Sequence, residues 1–178
     1  MRKANDNLIN QGPTVTESLE ILPLTSQAFA PYGEVIEADP ATMRLINNGT
    51  TERYHAVAAP VGVGDRLIFN IFRGQPRQFP YSLGMMERHP YGSQSFMPLS
   101  GRPFLVGVSA DEGGRPGKPQ IFLARTDQGV NYFANTWHHP LMVLSEVSDF
   151  LVVDRDNTGA NLQEFVFDTP YLIAEPSL

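Results

Sequence analysis

A chain of 178 residues is long enough for one domain with a substantial apolar core, and its net charge of −6 disfavours nucleic acid and anionic membranes, which bind basic patches. The absence of cysteine excludes disulfides, thiolate chemistry and cysteine-based zinc sites. No segment reaches the about 20 apolar residues of a membrane span, and residues 1–18 contain no apolar signal segment. A cytoplasmic protein is therefore expected.

The beginning of the chain predicts a disordered or tag-like leader over residues 1–18, followed by a single domain over residues 19–178. Residues 19–24 form a short apolar strand candidate. Thr25 is suited to cap a short helix over residues 26–32, because threonine accepts a backbone hydrogen bond at a helix N-cap. Gly33 is suited to end that helix.

From residue 34 onward the sequence predicts one strand after another, separated by turn-forming clusters of glycine and proline at residues 62–65, 74–76 and 112–117. No long segment has the 3.6-residue apolar period of a helix. This pattern predicts an all-β sandwich or barrel. The candidate strands lie at residues 34–37, 53–59, 66–72, 82–89, 93–99, 104–109, 120–125, 129–133, 141–153 and 162–167.

Three of the four histidines lie in two short motifs that end in proline, Glu87-Arg88-His89-Pro90 and Trp137-His138-His139-Pro140. Strand side chains alternate between faces, so Glu87 and His89 share a face, and Gln94 is the first inward residue of the next strand. Only one of the two adjacent histidines can face inward in an extended segment. We predict that His138 does so and that His139 points outward with Trp137. One site built where two strands meet is favoured over separate structural histidines.

Three further residues are candidates for holding a substrate. Arg73 ends an apolar strand face, where its guanidinium matches a carboxylate with two hydrogen bonds, although a rim arginine that extends into water is an equally weighted interpretation. Asn48 lies in Asn47-Asn48-Gly49, a pattern typical of a tight turn, whose amides can also bind a ligand. Tyr132 offers a phenol donor, although a buried structural tyrosine is the commoner arrangement.

The spacing of Glu87, His89, Gln94 and Gly101 resembles the first cupin motif, in which His-x-His is followed by Glu and later by Gly. Glu87 stands where the first cupin histidine would be, and Gln94 stands where the glutamate would be. The second motif is approximate, because Gly129 opens it but the histidine pair is out of phase.

Seven segments, in order, resemble the ureidoglycolate lyases, once called ureidoglycolate hydrolases, over about residues 19–168. The resemblance implies a cupin-like double-stranded β-helix, a jelly-roll barrel with a short N-terminal helix, often assembled as a homodimer. It implies cleavage of ureidoglycolate into glyoxylate and urea in allantoin and purine catabolism. A divalent metal, nickel or zinc, is associated with that activity, and no organic cofactor is expected. The segments are Ile46-Asn47-Asn48-Gly49, Glu52-Arg53-Tyr54-His55, Glu87-Arg88-His89-Pro90, Gln94-Ser95-Phe96-Met97-Pro98, Gly129-Val130-Asn131-Tyr132, Trp137-His138-His139-Pro140 and Phe150-Leu151-Val152-Val153-Asp154-Arg155.

The chemistry of this substrate suggests roles for the motif residues. Ureidoglycolate carries a hydroxyl, a carboxylate and a urea nitrogen on one carbon, so its cleavage needs a base at the hydroxyl and an acid at the departing nitrogen. Glu87 or His89 is the candidate base and His138 the candidate acid, or the reverse. A metal bound by Glu87, His89 and His138 would instead acidify the hydroxyl as a Lewis acid.

Arg73 or Arg53 would hold the substrate carboxylate, while Gln94 and Asn48 would orient the ureido group. Three other functions stay open at this point. The first is an amidohydrolase that releases ammonia from the same substrate. The second is a non-catalytic cupin that binds a small carboxylate as a sensor, and the third is a metal-dependent cupin dioxygenase.

Overall fold

The structure, a computed structural model, describes residues 16–156 and 159–177. Residues 1–15 of the predicted leader lie outside these ranges. Ser18, which the sequence assigns to the leader, already belongs to the first strand. In the described ranges, no helix has the length and apolar character that crossing a membrane requires.

Strands dominate the described part of the chain, which contains fifteen of them and one short α-helix, α1 (Ser26–Phe29). In chain order the strands are β1 (Ser18–Leu19), β2 (Ile21–Pro23), β3 (Gly33–Ile36), β4 (Met43–Ile46), β5 (Thr51–Tyr54), β6 (Leu67–Gly74), β7 (Tyr81–Arg88), β8 (Gln94–Pro98), β9 (Phe104–Ser109), β10 (Gln120–Ala124), β11 (Gly129–Tyr132), β12 (Trp137–His138), β13 (Met142–Val143), β14 (Ser148–Arg155) and β15 (Gln163–Ile173).

Two sheets face each other. Sheet I has the order β1-β15-β7-β12-β9-β10-β2, with β13 attached to β9, and sheet II has the order β3-β11-β8-β14-β6. The chain passes repeatedly from one sheet to the other, as from β7 in sheet I to β8 in sheet II and back to β9. The predicted all-β, jelly-roll barrel with a short N-terminal helix is confirmed.

Strand β9 of sheet I is covered on both faces, which explains why every residue of this strand except Ser109 is apolar. Alternate residues of β9, including Phe104 and Val106, pack with Phe150 of sheet II in the space between the sheets. Leu105 faces the other way, into a second buried cluster that also contains Trp137. All six residues of β9 are buried as a result, as in strands that are covered on both sides.

Helix α1 is shorter than predicted. Its N-cap is the predicted one, because Oγ1 of Thr25 accepts a hydrogen bond from the backbone N–H of Ala28 at 3.2 Å. It ends at Phe29 rather than Tyr32. Pro31 accounts for the difference, since proline lacks the N–H donor that would continue the helical hydrogen bonds.

A separate two-stranded hairpin, β4–β5, lies outside both sheets. The predicted tight turn is confirmed, because Asn47 and Asn48 adopt positive φ angles of 52° and 56°. The predicted strand over residues 53–59 is wrong in its bounds, and β4 was not predicted. All four residues of β4 are exposed, so they lack the alternation of apolar and polar residues by which half-buried strands are recognised.

Candidate active site

Strands β7 and β12 lie next to each other in sheet I and place Glu87 directly opposite His138. His89 follows two residues after Glu87 and therefore projects from the same face. An oxygen of Glu87 lies 3.6 Å from Nε2 of His138 and 4.0 Å from Nε2 of His89. The structure thus brings together the three residues singled out from strand alternation. We refer to Glu87, His89 and His138 as the acid–base cluster.

Backbone carbonyls fix the orientation of both imidazoles in this cluster. Nδ1 of His89 lies 2.7 Å from the carbonyl oxygen of Asn161, and Nδ1 of His138 lies 2.9 Å from that of Thr136. A carbonyl oxygen only accepts hydrogen bonds, so each Nδ1 carries the hydrogen and each neutral ring keeps a lone pair on Nε2. Both Nε2 atoms are buried and have no hydrogen-bond partner in the described part of the chain. They are therefore available to a proton or a cation.

The charges of the cluster are set by burial and by its own members. Burial raises the pKa of Glu87, but the imidazoles of His138 and His89 lower it by more, so the net pKa lies below its usual value. Burial lowers the pKa of His89, the charge of His138 lowers it further, and the carbonyl of Asn161 opposes both. At neutral pH the cluster therefore contains an ionised carboxylate beside a neutral His89 ring.

An aromatic ring supports His138 from inside the barrel. Tyr132 stacks on the imidazole with 4.4 Å between ring centroids and 14° between ring planes. Its side chain is buried, and burial raises the pKa of the Tyr132 phenol above its usual value. Tyr132 was a candidate phenol donor to a substrate, with a buried structural role as the commoner alternative, and the structure buries the side chain with its ring face against His138.

A second group of contacts holds β7 and β12 together from the opposite face of sheet I. The guanidinium of Arg88 lies 4.3 Å from the centre of the Trp137 ring. Arg88 and the indole N–H of Trp137 both donate to one oxygen of Asp111, each at 2.8 Å. Because Arg88 and Trp137 are the sequence neighbours of Glu87 and His138, these contacts fix the register that sets the acid–base cluster.

Glu87 and Gln94 line a cleft of about 400 Å³ between the two sheets, together with apolar side chains that include Phe72 and Phe96. Gln94 is buried, and its Oε1 has no hydrogen-bond partner in the described ranges. Its amide is therefore free to bind a ligand in the cleft. A larger groove of about 720 Å³ lies at Leu22 and the C-terminal residues, but it does not contain the acid–base cluster.

The other predicted substrate-binding residues are placed differently. Nε and Nη2 of Arg73 donate to the carboxylate of Asp149, at 2.7 and 2.8 Å, although Arg73 does border the cleft. Arg53 and Asn48 are exposed on the β4–β5 hairpin and are not among the residues that line the cleft. The structure therefore brings Gln94 and Arg73 to the cleft that Glu87 lines, but not Arg53 or Asn48.

Two findings on neighbouring residues go beyond the sequence-based predictions. His139 lies against Gly107 on the face opposite His138, as predicted, but it is 3% exposed rather than at the surface. The reason is that this face of sheet I is covered by the second buried cluster.

Sequence reasoning also missed Arg77, which lines the cleft. Its position in a segment between β6 and β7 gave no periodic signal that could have identified it.

A carboxylate and two imidazoles converge beside a small cleft lined by both polar and apolar side chains, an arrangement typical of small-molecule enzymes that move protons or bind a cation. Comparison with known families identifies the group more closely. The family model described as ureidoglycolate lyase matches residues 16–174. The chain belongs to the ureidoglycolate lyase family.

Individual relatives agree with the family match. The ureidoglycolate lyase of Rhizobium leguminosarum bv. trifolii is 72% identical over 164 residues, which span 91% of this chain and 99% of that protein. The ureidoglycolate lyase of Agrobacterium fabrum is 64% identical and covers 92% of this chain and 100% of its own length. Ureidoglycolate lyase 1 of Rhizobium meliloti is 59% identical, with coverage of 92% and 97%. In each case the match spans nearly all of the relative and about nine-tenths of this chain.

Proposed function

We propose that this protein is a ureidoglycolate lyase, which removes urea from ureidoglycolate and leaves glyoxylate. Within the structure, the observation that carries the proposal is the convergence of Glu87, His89 and His138 beside a small cleft. The reaction breaks a C–N bond and forms a C=O bond, with no water consumed. The protein therefore needs groups that move protons and does not need a nucleophile.

Two proton transfers balance the reaction. One group takes the proton of the substrate hydroxyl as its oxygen becomes the aldehyde carbonyl, and another gives a proton to the nitrogen that leaves with urea. Glu87 is the proposed base, because its lowered pKa keeps it ionised at neutral pH. His138 is the proposed acid and would act in the form protonated at Nε2. That atom lies 3.6 Å from Glu87, so the proton that Glu87 takes from the hydroxyl can return to it between turnovers.

Two further residues would orient the substrate. Nε2 of His89 keeps a lone pair without a hydrogen-bond partner in the described ranges, so it can accept a hydrogen bond from the substrate hydroxyl or from a urea N–H. The amide of Gln94 offers both a donor and an acceptor to the ureido group. The apolar side chains of Phe72 and Phe96 line the same cleft and limit the access of water.

The acid–base cluster also fits a divalent cation. Its donor atoms all lie within 4.8 Å of one another, and the 3.6 and 4.0 Å separations are close to the about 3.3 Å expected between ligands of a tetrahedral site. In both imidazoles the lone pair of Nε2 has no partner in the described ranges, and Nδ1 donates its hydrogen to a backbone carbonyl. Histidines that bind metals show the same arrangement. Glu87, His89 and His138 would hold nickel or zinc, which would supply Lewis-acid polarisation of the substrate hydroxyl.

The assembly and location of the protein belong to the same proposal. We propose a homodimer in the cytoplasm that acts in allantoin and purine catabolism. Apolar side chains on β6 support self-association, because Phe69 and Ile71 are 73% and 59% exposed at the edge of sheet II. A large apolar surface on an edge strand is favourable for contact with another protein surface.

Incubation with racemic ureidoglycolate tests the proposed reaction. Urea and glyoxylate should form in equal amounts. His89→Ala and His138→Ala should each lose at least about tenfold in kcat/KM, whereas His55→Ala, which changes a histidine outside the acid–base cluster, should retain activity. Ammonia in place of urea would instead indicate an amidohydrolase, and ligand binding without turnover would indicate a sensor.

A further inference from the structure

Two arginines, Arg73 and Arg77, border the cleft that contains Glu87, and they differ in what neutralises their charge. Arg73 lies directly opposite Asp149 across strands β6 and β14. Its guanidinium donates two hydrogen bonds to that carboxylate, and its side chain is 69% exposed. Phe72, its neighbour on β6, packs against Phe96 inside the barrel. Strand alternation therefore directs Arg73 to the outer face of sheet II, where Asp149 satisfies it.

Arg77 has no such partner. In the described part of the chain it forms no ion pair, and its one side-chain hydrogen bond goes to the carbonyl oxygen of Leu141 at 3.3 Å. Its Nε is buried and unpartnered. A buried donor without an acceptor is destabilising, and the cost is greater for a charged group. The structure thus leaves a positive charge without a carboxylate partner among the described residues at the wall of the cleft, and a buried Nε–H without an acceptor.

Neighbouring groups hold Arg77 in place without neutralising it. Its backbone N–H donates to the carbonyl of Val143 at 2.9 Å, which fixes the main chain. Its guanidinium lies 5.4 Å from the centre of the Tyr81 ring. The Tyr81 hydroxyl in turn lies 3.1 Å from Nε2 of His139. Because Nδ1 of His139 donates to a carbonyl at 2.7 Å, Nε2 accepts the hydrogen bond from Tyr81.

We infer that Arg77 binds the carboxylate of the substrate in the cleft. The inference rests on the proposed function for the identity of that substrate, and more generally assigns the cleft to small 2-hydroxy carboxylates and 2-oxo carboxylates. A carboxylate in the cleft would neutralise the charge of Arg77, and a guanidinium can bind it with two hydrogen bonds. Glu87 and Gln94, which line the same cleft, then face the hydroxyl and ureido groups of the same molecule.

Steady-state kinetics on purified variants test the role of Arg77. Arg77→Met should raise KM for ureidoglycolate roughly 10- to 150-fold, the range for losing a hydrogen bond to a charged group. Arg77→Lys keeps the charge but lacks the planar guanidinium, so its KM should lie between those of the wild type and Arg77→Met. Arg102→Met removes an arginine that pairs with Glu146 at the surface, and it should leave KM unchanged.

Calorimetric titration with glyoxylate and with urea separates this inference from the proposed reaction, because binding is measured without turnover. Arg77→Met should lose at least about tenfold in glyoxylate affinity and keep its affinity for urea, which has no carboxylate. If the wild-type protein fails to form urea and glyoxylate, the proposed function is wrong. The role of Arg77 in binding a carboxylate is then tested by the glyoxylate titration, which does not depend on turnover.

Two results would overturn the inference. One is glyoxylate binding by Arg77→Met that equals wild-type binding, with a thermal melting curve that shows the variant to be folded. The other is a loss of glyoxylate affinity in Arg73→Met and none in Arg77→Met, which would assign the carboxylate to Arg73. Arg77→Lys keeps the test decisive if Arg77→Met does not fold, because retention of full affinity by the lysine variant would exclude recognition by the guanidinium fork.

Discussion

Adding a divalent cation to chelator-treated protein should raise its melting temperature through the acid–base cluster. Binding to the folded state alone stabilises by RT ln(1 + [L]/Kd), which is about 2.7 kcal/mol at a hundredfold excess of metal over Kd. In a chain of this size, 178 residues, each kcal/mol shifts the melting temperature by about 2–4 °C. Nickel or zinc should therefore raise the melting temperature by about 5–11 °C.

A variant that lacks one metal-ligand residue tests whether the cation binds at the acid–base cluster. The cluster offers three ligand residues, Glu87, His89 and His138, so His89→Ala leaves two. If the affinity for metal falls a hundredfold, the stabilisation at the same metal concentration falls to about 0.4 kcal/mol. The corresponding shift is about 1–2 °C, which differential scanning fluorimetry distinguishes from the wild-type shift.

A matched histidine variant controls for metal bound elsewhere. His55→Ala removes a histidine that lies outside the cluster, so its shift in melting temperature on adding metal should equal that of the wild type. The reasoning would be refuted if His89→Ala and His138→Ala kept the full shift. The absence of any shift in the wild type, together with undiminished activity after exhaustive chelation, would show that the cluster works by acid–base chemistry without a cation.

Three further predictions concern pH, packing and assembly. Burial lowers the pKa of His139 from 6.5 to about 4, so the unfolded chain takes up the proton first as pH falls. The free energy of unfolding should therefore drop by about 3 kcal/mol between pH 6.5 and 4, and urea denaturation of His139→Gln should lack that drop. A Cβ at Gly33 would overlap the carbonyl oxygen of Asn131, so Gly33→Ala should lose about 1–3 kcal/mol in urea denaturation. Gly84→Ala, where the nearest atom is 3.9 Å away, should not show that loss, and equal losses in the two variants would contradict the overlap. Phe69→Glu should convert a dimer to a monomer by light scattering, and an unchanged mass would exclude the β6 surface as the interface.

Strand alternation accounts for the part of the site that the sequence could predict. Glu87 and His89 are two residues apart, so their shared face follows from the period of an extended chain. The choice of His138 over His139 also followed from alternation. That Glu87 and His138 lie opposite each other depends on the pairing of β7 with β12, which no local pattern in the sequence encodes.

Other features depended on tertiary contacts and could not be predicted. Arg73 ended an apolar strand face in the sequence, but that face is the exposed outer one, where Asp149 of β14 meets the guanidinium. Arg77 lies in the segment between β6 and β7, where the sequence has no periodic pattern. Its position beside the cleft could therefore be found only from the structure. Exposed β4 lacked the apolar alternation by which buried strands were found.

The hydrogen bonds from Nδ1 of His89 and His138 to main-chain carbonyls have a consequence for how this site can vary. The acceptors belong to the peptide units of Asn161 and Thr136, and every amino acid at those positions supplies the same oxygen. Side-chain replacement there leaves the imidazole tautomers unchanged as long as the backbone path is kept. Substitutions at these two positions therefore leave the hydrogen-bond acceptors of the ring nitrogens in place, whereas an insertion or deletion that moves either peptide would alter the chemistry of the rings without changing Glu87, His89 or His138.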